Sequence, residues 1–335
     1  MRILKRFVSY YKPYRFLFWF DMVCALVLSA IDLAFPQVLN GLTKGLFTRP
    51  GEEILRWIFW IGGGMLVLYL IRFGCQYFMT TWGHILGARM ESNMRQDLFD
   101  HLQRLSFSYY DKNNTGEMMS KLLSDLFDIS ELAHHGPENI FISLLKIIGS
   151  FILLMRVNVK MTLILIAVTA VMVVFSFLQN GKMRETFMDN RRKIAKVNAR
   201  VQDSLSGIRV VKSFGNEALE QEKFRKTNEQ FLESKNSNYR VMGQFHAGNA
   251  FFLGVLYTSV LVTGGVSIAN GSLSLSDLAL YVLYINIFMG PIETLINFTE
   301  MFQKGYAGFC RFMEVVDTEP EIVDAPNALP LSNVK

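Results

Sequence analysis

The sequence has little charge and few cysteines. Charged residues make up only 19% of the 335 residues, while hydrophobic residues make up 51%. An ordinary soluble domain is charged at about a quarter of its positions, so this composition excludes that class and predicts an integral membrane protein. The three cysteines, Cys24, Cys75 and Cys310, are scattered in or beside apolar runs. Without a pairing pattern they exclude a disulfide framework and a cysteine zinc site, and we expect small buried residues.

Long apolar runs fill much of the remaining chain. Each is close to or above the length that crosses a bilayer as a helix. A run such as MTLILIAVTAVMVVFSFL lacks the alternation of a barrel strand. The third run is short but can be extended backwards through Pro137. The sequence therefore predicts an all-α integral membrane fold with six transmembrane helices, at 16–39, 55–79, 140–155, 161–178, 251–268 and 278–296.

Positive charges are concentrated on one side of these runs. Lys5, Arg6, Lys12 and Arg15 precede the first run, and a dense basic set at 182–240 lies between the fourth and fifth. The positive-inside rule then places both termini and both long loops in the cytoplasm of a multi-pass cell (plasma) membrane protein. Topology and attraction to lipid headgroups account for the net charge of +5, so we expect the bilayer, and no nucleic acid, as a partner.

Two helical patterns continue beyond the apolar runs into the cytoplasm. The first follows the second run as an amphipathic rod, and turn residues at 109–116 (YYDKNNTG) are expected to break it. The second follows the fourth run and holds an apolar patch between two charged helical stretches. The rod repeats its apolar positions at three- and four-residue steps, at Met90, Met94, Leu98, Leu102 and Leu105, and the patch consists of Ile208, Val210, Val211 and Phe214.

Two short segments lie before and after the six apolar runs and their extensions. Residues 1–14 predict an amphipathic elbow helix that lies on the inner leaflet and ends at Pro13. Residues 317–335 are rich in proline and acidic residues, which is typical of a linker.

The order of these elements resembles the transmembrane domain of an ATP-binding cassette (ABC) exporter of the six-helix half-transporter type. The resemblance covers essentially the whole chain. It implies a six-helix domain over 15–316, a domain-swapped dimer with a second half-transporter, alike or different, and a nucleotide-binding domain that would follow the linker. The stretches that carry it are KPYRF at 12–16, LFDHLQRLSFSYYDKNNTGEMMSKLLSDL at 98–126, VQDSLSGIRVVKSFGNEALEQEKF at 201–224 and RFMEVVDTEPEI at 311–322.

The resemblance also implies a function. Such a domain exports hydrophobic or amphipathic small molecules, drug-like or lipid-like, by alternating access. Two cytoplasmic coupling helices would contact the nucleotide-binding domains. By this resemblance the first contains Asn114, Thr115, Gly116 and Glu117, and the second contains Gly207, Ile208, Arg209, Val210, Val211 and Phe214.

The chain departs from the full family pattern in one respect. It contains no G-x-x-x-x-G-K-[ST] loop, so it lacks the cradle of backbone amides and lysine that holds ATP phosphates. We therefore expect no catalytic residue and no cofactor in this chain, which alone should not hydrolyse ATP, and we expect ATP and Mg²⁺ on the absent nucleotide-binding domain. The same fold also serves importers of metal chelates and lipid flippases. A membrane receptor whose cytoplasmic helices are signalling rods is the alternative from another class.

Charged residues within the apolar runs are candidates for a substrate cavity. Asp32 and Lys146 fall at similar depth, and an isolated charge in a bilayer is costly. We expect an ion pair or a shared hydrated cavity, with a structural pair as the favoured role. Asp21 and Glu293 lie nearer the cytoplasmic side, where they would face the inner cavity or snorkel at the interface, and Arg72 is expected to snorkel.

Aromatic residues of the sixth run are the other cavity candidates. Tyr281, Tyr284 and Phe288 suit an apolar ligand, with helix packing or lipid contact as the alternative. No metal site is expected. The adjacent His134 and His135 would point about 100° apart on a helix, and only Glu131 and Glu138 lie nearby at ligand spacing.

Overall fold

A computed structural model describes residues 2–323, except for the side chains of Arg2, Thr115, Glu117, Lys121 and Leu122. This part of the chain is almost entirely helical and contains no strand. Six of its helical stretches are long and apolar enough to cross a membrane. The prediction of an all-α membrane fold with six spanning helices is confirmed, while the expected linker lies outside the described residues from residue 324 onwards.

Eleven α-helices follow one another in the described chain. They are α1 (Arg2–Ser9), α2 (Arg15–Gly41), α3 (Gly51–Phe78), α4 (His84–Leu102), α5 (Phe107–Lys112), α6 (Thr115–Ser120), α7 (Leu126–Met155), α8 (Val159–Ser206), α9 (Ile208–Ser213), α10 (Glu217–Ala269) and α11 (Leu275–Val316).

Helix α4 forms the expected rod as a continuation of the spanning helix α3, but a π-helical segment, Met79–Gly83, separates the two. The apolar positions of α4 recur at three- and four-residue steps, which places them on one face of the helix. The structure buries Met90, Met94, Leu98 and Leu102, as this spacing predicts.

The rod does not end at the turn residues 109–116, where the sequence predicts the break. Helix α4 ends at Leu102, and α5 then covers 109–112, which the sequence predicts as turn. That prediction is wrong for these four residues, because FSYYDK contains no glycine or proline to stop a helix, and it is also wrong for 115–116, which begin α6. The chain is extended instead at Ser106 (ψ 161°) and at Asn113 (φ −118°, ψ 138°).

Residues 2–150 and 283–323 form one compact unit, which we call the first unit. Its core contains side chains from α4, α7 and α11, and Leu98, Leu126, Ile129 and Phe312 are at most 1% exposed. Four large side chains at this degree of burial mark a close-packed centre. This core holds the end of the α3–α4 rod against α7 and α11.

Helix α1 packs on the same unit. Phe7 and Tyr10 lie against the core, and the Phe7 ring meets the Phe309 ring edge-on at a centroid distance of 5.2 Å. Leu4 and Val8 remain 62% and 55% exposed. The helix therefore uses one apolar face for the protein and presents other apolar side chains at its surface.

Residues 151–282 form the second unit, in which α8 and α10 pack along each other. With 48 and 53 residues, these helices are about 72 and 80 Å long at the helical rise, more than twice the thickness of the bilayer hydrocarbon core. Polar contacts join them, including the following two. The Ser176 hydroxyl donates to Asn249 Oδ1 at 2.5 Å, and the Thr186 hydroxyl donates to Asn238 Oδ1 at 3.1 Å.

Candidate coupling and substrate sites

The tip of the α8–α10 hairpin is the short helix α9. Gly207 separates it from α8, and Gly215 ends it with φ +63°, a left-handed conformation that favours glycine. The Gly207 amide donates to the Asp203 carbonyl and the Asn216 amide donates to the Val211 carbonyl, so both turns are closed by backbone bonds. The sequence thus folds this patch as a separate helix across the end of two long rods.

Helix α9 and the residue after it carry exposed apolar side chains. Ile208, Val210 and Phe214 are 41%, 62% and 73% exposed. A cluster of large apolar side chains at a surface is a candidate interaction site. The exposure of Arg209 beside them adds a cation to the patch.

Polar contacts join α8, α9 and α10 at the tip of the hairpin. The Ser204 hydroxyl donates to Glu220 at 2.6 Å, and Glu220 also accepts from Lys223 at 2.6 Å. Lys212 lies 3.0 Å from Glu217 at the start of α10. These contacts tie the end of α8 and the helix α9 to the start of α10.

The first expected coupling element lies at α5 and α6. Asn114 Oδ1 accepts a 2.8 Å hydrogen bond from the Gly116 amide, and Asn113 Nδ2 donates to the Tyr109 carbonyl. Asn114 and Gly116 are exposed. The predicted contacts of Thr115 and Glu117 lie outside the described side chains.

A charged cluster lies within the spanning helices of the first unit. Lys146 Nζ is 2.7 Å from Asp32 Oδ2, so the predicted ion pair is confirmed. Arg72 Nε is 3.1 Å from the other oxygen of Asp32, and the expectation that Arg72 snorkels is wrong. A guanidinium in an apolar setting is stabilised by a carboxylate within its reach. Two cations therefore share one carboxylate, and contact of this cluster with substrate stays a prediction.

The aromatic candidates are buried. In the second unit, the Tyr281 hydroxyl donates to the Asn158 carbonyl at 2.9 Å and lies 2.7 Å from the Thr162 hydroxyl. In the first unit, the Tyr284 hydroxyl donates to the Leu33 carbonyl at 2.7 Å, and Phe288 is fully buried. These side chains pack helices here, so their predicted role in a substrate surface requires the helices to move.

Asp21 and Glu293 have different surroundings. Glu293 is exposed, whereas Asp21 is buried, and its Oδ1 has no hydrogen-bond partner in the described part of the chain. Asp21 instead lies in a group with His134 and Glu138 whose possible ligand atoms are all within 4.8 Å of one another.

The two adjacent histidines meet a third one. The rings of His134 and His135 lie 4.4 Å apart, and the His84 ring is 4.6 Å from His134. The reasoning that the two rings point apart is therefore wrong, and His84 was missed. The sequence does indicate that His84 lies near His134 and His135. The second apolar run ends five residues before His84 and the third begins shortly after His135, so these residues lie at the same end of two neighbouring runs.

The comparisons with known proteins agree with this architecture. The family described as ABC transporter transmembrane region matches residues 18–292. The ABC transporter ATP-binding protein YwjA of Bacillus subtilis, itself uncharacterized, is 37% identical over 99% of this chain and 57% of its own length. YgaD of the same organism, named provisionally as a multidrug export ATP-binding/permease protein, is 25% identical over the whole chain and 58% of its own length.

A third relative is the ATP-dependent lipid A-core flippase of Syntrophus aciditrophicus, which is 23% identical over the whole chain and 55% of its own length. The chain thus spans a little over half the length of the relatives that it matches. The match of the family over most of the sequence, together with the six spanning helices, shows that this chain belongs to the ABC transporter transmembrane region family.

Proposed function

We propose that this chain is the permease part of an ATP-driven exporter of hydrophobic or amphipathic small molecules. The observation that carries the proposal is α9, a short helix with exposed apolar side chains at the tip of two long rods. A partner that binds α9 and moves would shift α8 and α10 as rigid levers. Such a movement alternates access to a cavity between the spanning helices.

The proposed partner of α9 is the nucleotide-binding domain of a second half-transporter. The apolar side chains of Ile208, Val210 and Phe214 would fill a pocket in that domain, and Arg209 would pair with its rim. Residues 114–117 would make the smaller contact. ATP and Mg²⁺ would bind to that domain, because this chain has no phosphate loop. In this arrangement both termini and α9 face the cytoplasm.

The proposed substrate class rests on the relatives' names and on the charged cluster. One relative is named for multidrug export and another for flipping a lipid A-core. Arg72 and Lys146 share the single carboxylate of Asp32. A cavity that opens there would combine apolar walls with excess positive charge, which suits an amphipathic molecule with an anionic group. The same cluster favours lipid flipping as the second candidate.

Phe214→Asp tests the coupling role in the full-length protein in proteoliposomes. The probes are anionic, neutral and cationic amphiphilic dyes and a phospholipid with a fluorescent headgroup. We expect probe-stimulated ATP hydrolysis and transport to fall at least about tenfold, because a carboxylate seated in an apolar pocket costs more than ~1.4 kcal/mol. Basal ATP hydrolysis should persist.

Phe187→Asp is the matched control. Phe187 is 47% exposed on α8 and lies outside the α9 patch. We expect this variant to transport like the parent protein. Normal stimulated transport by Phe214→Asp, or an equal loss in both variants, contradicts the proposed function.

A further inference from the structure

Three of the five histidines of the chain converge in the first unit, at one end of two spanning helices. His84 begins α4, and His134 and His135 lie in α7. The ring centroids are 4.4 Å apart for His134 and His135, 4.6 Å for His84 and His134, and 5.1 Å for His84 and His135. One nitrogen of each ring lies within 4.8 Å of one nitrogen of the other two.

The backbone before His84 allows these rings to approach one another. The π-helical segment Met79–Gly83 directly precedes His84, and such segments are frequent at functional sites. A side chain at Gly83 would place its Cβ 2.0 Å from His134 Cε1, so only glycine allows the His134 ring to approach α4 this closely.

The tautomer of His84 is also fixed. His84 Nδ1 lies 2.7 Å from the Thr80 carbonyl oxygen, which can only accept a hydrogen bond. Nδ1 therefore carries the proton, and Nε2 keeps a free lone pair. This arrangement, with one ring nitrogen bound to a backbone carbonyl, is the usual support of a histidine that ligates a metal.

Two carboxylates, one buried and one partly buried, extend the cluster. Asp21, from α2, and Glu138 form a second group with His134, with their ligand atoms within 4.8 Å of one another. Asp21 is only 4% exposed, and Oδ1 has no hydrogen-bond partner in the described chain. A buried carboxylate oxygen without a partner is costly. A cation beside His134 would stabilise it.

We propose that His84, His134 and His135 bind one divalent transition-metal ion of the zinc class, with Asp21 or Glu138 as the fourth ligand. Imidazole nitrogens favour Zn²⁺, Cu²⁺ or Ni²⁺ over Mg²⁺ and Ca²⁺, which require oxygen ligands. Three histidines and one carboxylate complete a tetrahedral zinc site, where ligand atoms lie about 3.3 Å apart at the usual bond lengths. Binding would require side-chain rotations that bring the ligand atoms, which lie within 4.8 Å of one another in each of the two groups, to that spacing. The ion would join α4 to α7, and also to α2 where Asp21 is the fourth ligand, and would restrain the relative motion of the helices it joins.

The test is metal binding by the purified full-length protein in lipid nanodiscs, after removal of any histidine tag. Zn²⁺ is titrated by calorimetry, and Co²⁺ is added as a spectroscopic probe, with Mg²⁺ as the negative control. We expect one Zn²⁺ per chain and the strong visible absorption of tetrahedral Co²⁺. Neither measurement depends on transport or ATP hydrolysis, so failure of this proposal and failure of the proposed function are distinguishable.

His84→Gln is the decisive variant, because His84 is exposed and its replacement should leave the fold intact. We expect the zinc affinity to fall more than about 100-fold, since a lost ligand costs at least as much as a lost outer-shell partner. His134→Gln should lose the Co²⁺ spectrum. The matched control is His246→Gln, which changes a histidine of α10 in the second unit and should bind Zn²⁺ like the parent protein.

Three results overturn the proposal. They are the absence of stoichiometric Zn²⁺ binding by the parent protein, an unchanged affinity in His84→Gln, or an equal loss in His246→Gln. Any of them would mean that the three rings only pack against one another.

Discussion

Arg311 and Asp125 form an ion pair with two hydrogen bonds in the first unit. Two nitrogens of Arg311 donate to the two oxygens of Asp125, both at 2.7 Å, and the Asp125 side chain is only 10% exposed. Arg311→Ala would leave this carboxylate buried without its partner. We expect the free energy of unfolding to fall by about 2 kcal/mol, less than for a fully buried pair because the Arg311 side chain is 43% exposed. The midpoint of thermal unfolding of the full-length protein in detergent measures this loss.

Lys304→Ala provides the comparison on the same helix. Lys304 lies 2.6 Å from Glu300, but both side chains are more than half exposed. Exposed pairs of this kind contribute about 0–1 kcal/mol, so the unfolding midpoint should hardly change. Equal shifts of the unfolding midpoint in the two variants would show that the burial of Asp125 does not determine how much stability is lost with its partner.

The pairing of Asp32 with Lys146 could be predicted because depth in a membrane follows from counting residues along each run. The contact of Arg72 with Asp32 could not, because a long side chain reaches across more than one turn. His84 was missed for a related reason. Its depth was readable from the sequence, but the rotation of α4 that turns it towards His134 was not.

The secondary-structure elements also divide into those that the sequence predicts and those that it does not. Hydropathy predicted all six spanning helices, because a run of apolar residues is the direct requirement of the bilayer. The π-helical segments were not predicted, since one extra residue in a turn barely changes an apolar pattern. Helix α5 was also missed, because the turn-forming residues that follow it outweighed the helical preference of FSYYDK.

Gly83→Ala tests whether the π-helical segment is specifically shaped for His134. The added Cβ would meet His134 Cε1 at 2.0 Å, so the ring or the helix must move. We expect the free energy of unfolding to fall by about 1–3 kcal/mol, as for other overpacked sites. Unfolding midpoints of the full-length protein in detergent provide the measurement.

Gly74→Ala is the control in α3, where an added Cβ meets nothing within 4 Å. Alanine favours a helix over glycine by up to ~1 kcal/mol, so this variant should be unchanged or slightly more stable. If Gly83→Ala is equally harmless, the close approach of α7 to Gly83 is not needed for stability.

The described part of the chain leaves much apolar surface exposed. Helix α3 contains no buried residue, and Trp60 and Phe59 are both 77% exposed. Lipid can cover such a helix, but α9 lies on the cytoplasmic side in the proposed topology and cannot be covered in that way. The family resemblance implies a domain-swapped dimer, in which the second coupling helix of each chain contacts the nucleotide-binding domain of the other chain. The division of the described chain into two separate compact units is compatible with this arrangement.

Cross-linking from α9 distinguishes a swapped dimer from an unswapped one. Val210→Cys, at a side chain that is 62% exposed, is introduced into full-length protein in which Cys24, Cys75 and Cys310 are replaced by alanine. Two differently tagged forms are co-expressed and treated with a short thiol-to-amine reagent. If α9 contacts the nucleotide-binding domain of the other chain, the cross-linked product has the mass of two chains and can contain both tags. A product confined to one chain contradicts the swap, because the coupling helix would then contact the nucleotide-binding domain of its own chain.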